Sequence, residues 1–396
     1  MSHENVPTLI QDTAELEALC ARLRSASWLA LDTEFMREKT YRPQLCLIQV
    51  ATPDESACID PLTLPSIDPF LDLIYDHNIV KVLHAAGQDM EIFYWLRGAL
   101  PGPIFDTQIA APLLGHNEQI GYGNLVKAVL NVELSKSHSR TDWTRRPLSD
   151  AQLRYALDDV IYLAKLYPRL QDALEEQARS AWLEPDFIAL ENPDLYEKPA
   201  EDMWLRVKGV QKFKGKALAA IQRLATWREL AARSSDRPRN WLMKDDVLID
   251  IARQQPSNTD ELSRIRGLSE GILRRHADTL LELLQEAEKT PPIPLPPFSK
   301  KTKLSPAQDA IVDLLTTLGK LIGDELSINP AVLAPRKELE RLLIDPTQSR
   351  LNQGWRKKLI GQPLQELLNG ELSMRIVEQR VRLTRETRPA ADENSA

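Results

Sequence analysis

Asp32 and Glu34 flank Thr33 at the end of the apolar run Trp28-Leu29-Ala30-Leu31, with Phe35 and Met36 beyond. A run this hydrophobic reads as a buried strand. Side chains alternate faces along a strand, so the two carboxylates share one face. Side by side in a core they repel each other and resist desolvation. A cation between them relieves both penalties, and hard divalent ions prefer oxygen ligands. Asp-x-Glu also occurs at strand ends by chance, so the pair by itself is weak.

Two further segments carry carboxylates. Val80-Lys81-Val82-Leu83-His84 is another short apolar strand, after which Ala85, Ala86 and Gly87 turn the chain. Gln88 and Asp89 then open an amphipathic segment with Ile92, Phe93 and Leu96. Asp89 therefore falls in the first turn of a helix, where a carboxylate equally serves the helix dipole with no ligand. Downstream, Ser149 with Gln152 forms a capping-box start, and Pro168 predicts the helix end. Leu153, Ala156, Leu157, Val160 and Ala164 make the apolar stripe of that helix. Tyr155 and Asp159, four apart, stack on an adjoining face. Asp158 lies about 100° around the helix and faces elsewhere. In isolation this is equally an ordinary helix with a half-buried tyrosine.

The order is Asp-x-Glu on a strand, Asp at a strand-to-helix junction, then Tyr-x-x-x-Asp on a helix. It resembles the DEDD exonuclease superfamily in its tyrosine-containing subgroup, and within it the ribonuclease D family. Matching stretches include Leu31-Asp32-Thr33-Glu34-Phe35, Tyr41-Arg42-Pro43-Gln44-Leu45 and Ile48-Gln49. Phe105-Asp106-Thr107-Gln108 and Ser139-Arg140-Thr141-Asp142-Trp143 match as well, and the resemblance covers nearly the whole chain.

The resemblance implies a metal-dependent 3′-5′ exoribonuclease that releases nucleoside 5′-monophosphates one at a time. Phosphodiester hydrolysis needs a nucleophilic hydroxide and relief of charge on the leaving oxygen; two divalent ions about 4 Å apart do both. By the family pattern Asp32 bridges two ions, Mg²⁺ or Mn²⁺, while Glu34 and Asp159 complete the site for the ion that activates the nucleophile. Asp89 holds the leaving-group ion. Tyr155, with a free pKa of about 10, is a poor base at neutral pH and is expected to orient the water. His84, Gln88, Arg140, Trp143, Lys212 and Lys214 are substrate-side candidates, as is His138. For His84, Gln88, His138, Arg140 and Trp143, packing is the competing role. The implied partner is RNA with a free 3′ end, notably tRNA precursors, in the cytoplasm, with a monomer expected. The alternatives are a DNA exonuclease with the same cage, since no motif reads a 2′-hydroxyl, and a non-catalytic RNA-binding module. A cofactor-dependent metabolic enzyme is disfavoured by the lack of a glycine-rich phosphate loop, so no organic cofactor is expected.

The elements that must position these residues follow from periodicity. Asp12 and Glu15 open a helix with Leu16, Leu19, Cys20 and Leu23 as its stripe. Strands are predicted near 28–35, 44–52 and 55–60, then a helix at 68–76, a strand at 80–84, a helix at 88–97 and a strand at 103–106. The fold class is therefore α/β: a mixed sheet with flanking helices, matching the ribonuclease H-like fold that the family implies.

From Trp204 onward no strand signal remains. Two helical copies are separated by Thr290-Pro291-Pro292-Ile293-Pro294-Leu295-Pro296-Pro297, a stiff linker. Leu224, Trp227 and Leu230 align with Leu315, Leu318 and Leu321 at a shift of 91 (315 − 224), as Leu242, Leu248 and Ile251 do with Leu333, Leu339 and Leu342. The shift then falls to 83 (357 − 274), setting Arg274-Arg275 against Lys357-Lys358 and Leu281 against Leu364. The copies resemble the HRDC domain, named for helicases and ribonuclease D. The expected division is an exonuclease domain at 1–178, a connecting helix and first HRDC domain at 179–290, and a linker at 291–299. A second HRDC-like domain follows at 300–384, then a disordered tail at 385–396.

Composition limits the remaining classes. A chain of 396 residues holds two or three domains. No apolar stretch reaches membrane-spanning length, and the N-terminus lacks signal-peptide features. Cys20, Cys46 and Cys58 read as reduced core residues. The net charge of −7 runs against a phosphate-binding protein, so positive charge must be local. Arg206, Lys208, Lys212, Lys214 and Lys216, interleaved with Trp204 and Phe213, are one such cluster, equally readable as a solvated face.

Overall fold

The computed structural model describes residues 8–135, 141–296 and 304–385. His138, Arg140 and the predicted tail beyond Arg385 lie outside the described residues. The first half runs β1 (Leu9–Ile10), α1 (Thr13–Leu23), β2 (Trp28–Met36), β3 (Gln44–Ala51), β4 (Ser56–Ile59), α2 (Asp68–Ile74), β5 (Val80–Leu83) and α3 (Gly87–Arg97). Next come β6 (Ile104–Asp106), α4 (Thr107–Ala110), α5 (Tyr122–Leu130) and the long α6 (Asp150–Glu176). The six strands form one sheet in the order β1-β4-β3-β2-β5-β6. β3 is antiparallel to β2 and β4, and the other pairs are parallel. β1 has only two residues, too few to show an alternation in the sequence.

Alternation along β2 sorts the two sides of this sheet. Leu29 and Leu31 pack with Leu16, Leu19, Phe70 and Phe93 of α1–α3. Ala30 faces the opposite way and packs with Leu125 of α5 and Ala156 and Val160 of α6. Asp32 and Glu34 continue the Ala30 face, so β2 presents its carboxylates toward α6.

The capping box at Ser149 and Gln152 starts α6 as predicted. Pro168 does not end it, and the helix continues to Glu176. An interior proline costs a helix about 3 kcal/mol. Leu166, Tyr167, Leu170 and Leu174 are all buried around and beyond it. Burying one such side chain stabilises by roughly 1.5–3 kcal/mol, so packing outweighs the local cost.

A short helix α7 (Glu184–Leu190) leads to α8 (Gly215–Ser234), α9 (Arg239–Leu242), α10 (Asp245–Gln254), α11 (Thr259–Ser263) and α12 (Glu270–Lys289). These enclose their own core around Trp204, Leu224, Leu248, Ile251 and Leu280. The first part of the proline-rich stretch lies along α8, where the Gln222 amide exchanges two hydrogen bonds with the main chain of Ile293 (2.8 and 3.0 Å).

Beyond it lie α13 (Pro306–Leu326), α14 (Pro330–Leu333), α15 (Arg336–Ile344), α16 (Gly354–Arg356), a π turn and α17 (Gln362–Leu368). α14 begins 91 residues after α9 (330 − 239), the shift seen in the sequence. This second set shares an apolar cluster with the sheet side of α6: Val312, Leu315, Leu333 and Leu339 join Leu113, Leu166 and Leu183. Trp182 stacks on Trp355 with centroids 4.9 Å apart. The Arg179 guanidinium donates to the main-chain oxygens of Leu113 and Leu326, each at 2.5 Å.

The expectation of helices alone after Trp204 needs one correction. β7 (Leu372–Val377) and β8 (Arg380–Arg385) form an antiparallel hairpin. Its two-residue turn is Glu378-Gln379, both at positive φ (50° and 58°). Such turns are normally announced by Asn or Gly, and neither is present, so the signal was hidden. Among the described residues no helix is long and apolar enough to cross a membrane.

Candidate metal centre

Asp32 and Glu34 of β2 meet Asp159 of α6, with one carboxylate oxygen of each within 4.8 Å of the others. The meeting follows from the shared core beneath it, where Ala30 packs against Ala156 and Val160. Tyr122, in the first turn of α5, braces the helix at this level. Its hydroxyl donates to the main-chain oxygen of Asp159 at 2.5 Å, with that of Asp158 at 3.2 Å. Opposite Asp32 on β3 stands Gln49. It is fully buried, and its amide has no hydrogen-bond partner among the described residues.

Asp89 lies beside this triad rather than in it. Its carboxylate accepts from the Thr33 hydroxyl. The junction that carries it is tied down by Asp106, a buried carboxylate that accepts from the Ala85 and Ala86 amides at 3.0 and 2.8 Å. The same side chain accepts from the Gln108 amide and so starts α4. Ala85 is held at φ +60°, a costly conformation for a residue with a Cβ.

Electrostatics define what the arrangement can hold. Burial, then the charges of Asp89, Asp159 and Glu34, push the Asp32 carboxyl well above its ordinary range. Burial, with Asp159 and Asp89 nearby, raises Glu34 to about 8. Burial and the neighbouring Asp158 bring Asp159 to about 7. Burial likewise takes Asp89 to about 7, against the lowering effect of the Thr33 hydrogen bond. These oxygens cannot all ionise comfortably without positive charge among them. All-oxygen donors with that deficit fit a hard divalent cation.

Tyr155 projects from α6 one turn before Asp159 and stacks on Trp143 with centroids 6.4 Å apart. Burial, then Asp159, Glu34 and Asp32, raise its phenol to about 12. A phenol so placed keeps its proton at neutral pH and is a hydrogen-bond donor rather than a base.

The remaining sequence candidates are dispersed. Trp143 is only 3% exposed and stacks on Tyr155. Both ring nitrogens of His84 are engaged, Nδ1 with Thr107 Oγ1 (2.9 Å) and Nε2 with the Ile120 main-chain oxygen (3.0 Å). Gln88 is exposed in the first turn of α3, and Lys212 and Lys214 are exposed before α8. Trp204 of the same basic run is buried in the helical core.

Sequence reasoning missed Tyr122, Gln49 and Asp106 around the site, and the Arg146–Asp60 clamp. Arg146 clamps the fully buried Asp60 with two hydrogen bonds (2.6 and 2.7 Å) and donates to the main chain of Cys46 and Trp143. Gln49 and Asp106 lay inside matching motif stretches. Tyr122 and Arg146 carried no local signal, since their partners are distant in sequence.

A family model described as 3′-5′ exonuclease matches residues 7–175, and one described as HRDC domain matches 217–284. The ribonuclease D of Bartonella henselae is 40% identical over 369 residues, 92% of this chain and 90% of that protein. The ribonuclease D of Sphingobium indicum is 38% identical over 393 residues, 95% of this chain and 98% of its own length. Among solved structures, Escherichia coli RNase D, described as an exoribonuclease involved in structured RNA processing, superposes with a TM-score of 0.77 at 31% identity. That match covers 92% of this chain and 99% of the other.

Proposed function

The chain belongs to the ribonuclease D family of DEDD-type 3′-5′ exonucleases, and from that premise we propose that it shortens RNA from a free 3′ end, releasing nucleoside 5′-monophosphates one at a time. The observation that carries this reading is the convergence of Asp32, Glu34 and Asp159 from a strand and a helix far apart in sequence. These three would hold divalent metal, with Asp89 beside them for a second ion, Mg²⁺ or Mn²⁺. When bound, such ions make water nucleophilic at neutral pH and stabilise charge on the leaving oxygen. The protein's own groups do the rest. Tyr155 orients the attacking water through its protonated hydroxyl, the role expected of the tyrosine subgroup. Tyr122 fixes the main chain at Asp159 so that the helix carboxylate keeps its height against β2.

The division into an exonuclease domain (1–178), a connecting helix with the first HRDC domain (179–290) and a second HRDC-like domain (300–384) remains part of this reading. It is supported by the HRDC match at 217–284 and the recurrence of helix order at a shift of 91 (330 − 239). Structured RNA, with tRNA precursors foremost, is the favoured substrate because the similar Escherichia coli enzyme is described as acting in structured RNA processing.

The test offers 5′-labelled RNA and DNA of one sequence, with free or blocked 3′ ends, in Mg²⁺, Mn²⁺ or chelator. The expected result is a ladder that shortens one nucleotide at a time from free 3′ ends, with RNA preferred and no cleavage in chelator. Faster shortening of DNA would replace the RNA reading with a DNA exonuclease, and internal cuts would exclude an exonuclease.

A further inference from the structure

The hairpin β7–β8 has two unlike faces. Register places Leu372, Met374 and Ile376 opposite Arg385, Leu383 and Val381 on one side. Leu372 is buried and Met374 packs on the apolar cluster, so this side anchors the base of the hairpin. Its tip stands clear of the body, with Ile376 82% exposed. The other side carries Ser373 opposite Thr384, Arg375 opposite Arg382, and Val377 opposite Arg380.

Three arginines on one exposed face need an explanation. Arg375 and Arg382 are direct cross-strand neighbours, and like charges in that position destabilise a ladder. Among the described residues, no ion pair or hydrogen bond engages the side chain of Arg375, Arg380 or Arg382. Arg385, on the opposite face, does pair, with Glu366 at 3.2 Å. The concentration is more pointed in a chain of net charge −7. An isolated two-stranded ribbon is marginal even without repulsion, so anionic neutralisation would favour it.

We propose that this arginine face is a phosphate-binding ribbon that grips the backbone of an RNA stem whose 3′ end enters the carboxylate site. The inference rests on the exoribonuclease reading above and adds a contact surface beyond the helices of the second copy. Residues two apart on a strand are about 6.7 Å apart, so Arg380 and Arg382 with Arg375 form one compact patch. Guanidinium forks match phosphate oxygens bidentately. Ser373 and Thr384 add hydroxyls on the same face. Contacts of this kind hold and orient a stem without reading its sequence.

The experiment uses the full chain and a labelled stem-loop RNA with a 3′ single-stranded tail, in chelator. Binding is followed by fluorescence anisotropy from about 50 to 200 mM salt. The variants are Arg375→Gln/Arg380→Gln/Arg382→Gln and the corresponding triple lysine set, each checked for wild-type circular dichroism. Loss of three phosphate contacts should flatten the log–log salt slope by about 2–3 and weaken binding at least about tenfold at the lowest salt. The lysine set should retain most of both. A glutamine variant with wild-type affinity and slope would overturn the proposal and leave the exposed ribbon to a protein partner. Cleavage by the wild type is scored separately. Arginine-dependent RNA binding without shortening in Mg²⁺ or Mn²⁺ would sink the exonuclease reading while the ribbon stands.

Discussion

The roles proposed for Tyr155 and the carboxylates around it make separate predictions. The Tyr155 hydroxyl is raised to about 12 by burial and the nearby acids, so removing it should cost rate and leave metal affinity intact. Tyr155→Phe is expected to lower kcat by roughly 10²–10⁴-fold, the range of a positioning group. An unchanged kcat under chemistry-limited conditions would reduce the residue to packing. The carboxylates predict a pH effect with a definite sign. Glu34 at about 8 and Asp159 at about 7 hold protons in the metal-free fold that the unfolded chain has already released. The folded state then binds more protons than the unfolded one, so stability falls as pH rises from near 4 through 8. Metal-free protein should therefore melt lower at pH 8.5 than at pH 6, and Mg²⁺ should remove most of the difference. A melting temperature independent of pH over that window, with or without metal, would contradict the assignment.

At the element scale, β2 and α6 were legible because their signals are local. An apolar run ending in Asp-x-Glu, and a capping box followed by a helical stripe, fix which face each presents. What was not legible depends on distant partners. Pro168 reads as a stop until the burial of Leu170 and Leu174 is known. The hairpin hides behind a turn without glycine, and Tyr122 gains meaning only against the main chain of Asp159. The Arg146–Asp60 clamp belongs to the same class and is testable. Asp60 is fully buried, so Arg146→Met would leave a buried charge without its partner. Breaking a buried pair costs roughly 3–5 kcal/mol. Adding Asp60→Asn should recover part of that loss in denaturant unfolding, whereas strict additivity of the two changes would mean the pair is not coupled.

Over the whole molecule, the two helical sets are held differently. The first keeps its own core and meets the exonuclease half through polar contacts. The Asp236 carboxylate accepts from the Tyr41 and Arg42 amides (3.2 and 3.0 Å), and the Tyr41 hydroxyl donates to Glu229. The second shares its apolar cluster with α6 and is pinned by Arg179 and the Trp182–Trp355 stack. A chain ending at Pro296 should therefore melt lower than the full chain in its exonuclease half and bind an apolar dye. Equal melting temperatures would mean the shared cluster contributes little. The same contrast bears on an exonuclease fragment ending near Arg179. Such a fragment would lose the second set's part of the apolar cluster that includes Leu113.

If Asp32, Glu34 and Asp159 hold the metal that hydrolysis requires, calorimetric Mn²⁺ titration paired with turnover shows it most directly. The comparison is between wild type and Asp32→Asn or Asp159→Asn, with folding verified by circular dichroism. Each variant should keep its fold and its RNA affinity, lose Mn²⁺ binding at the triad, and hydrolyse nothing measurable at saturating Mg²⁺. Near-normal turnover in either variant would contradict the account.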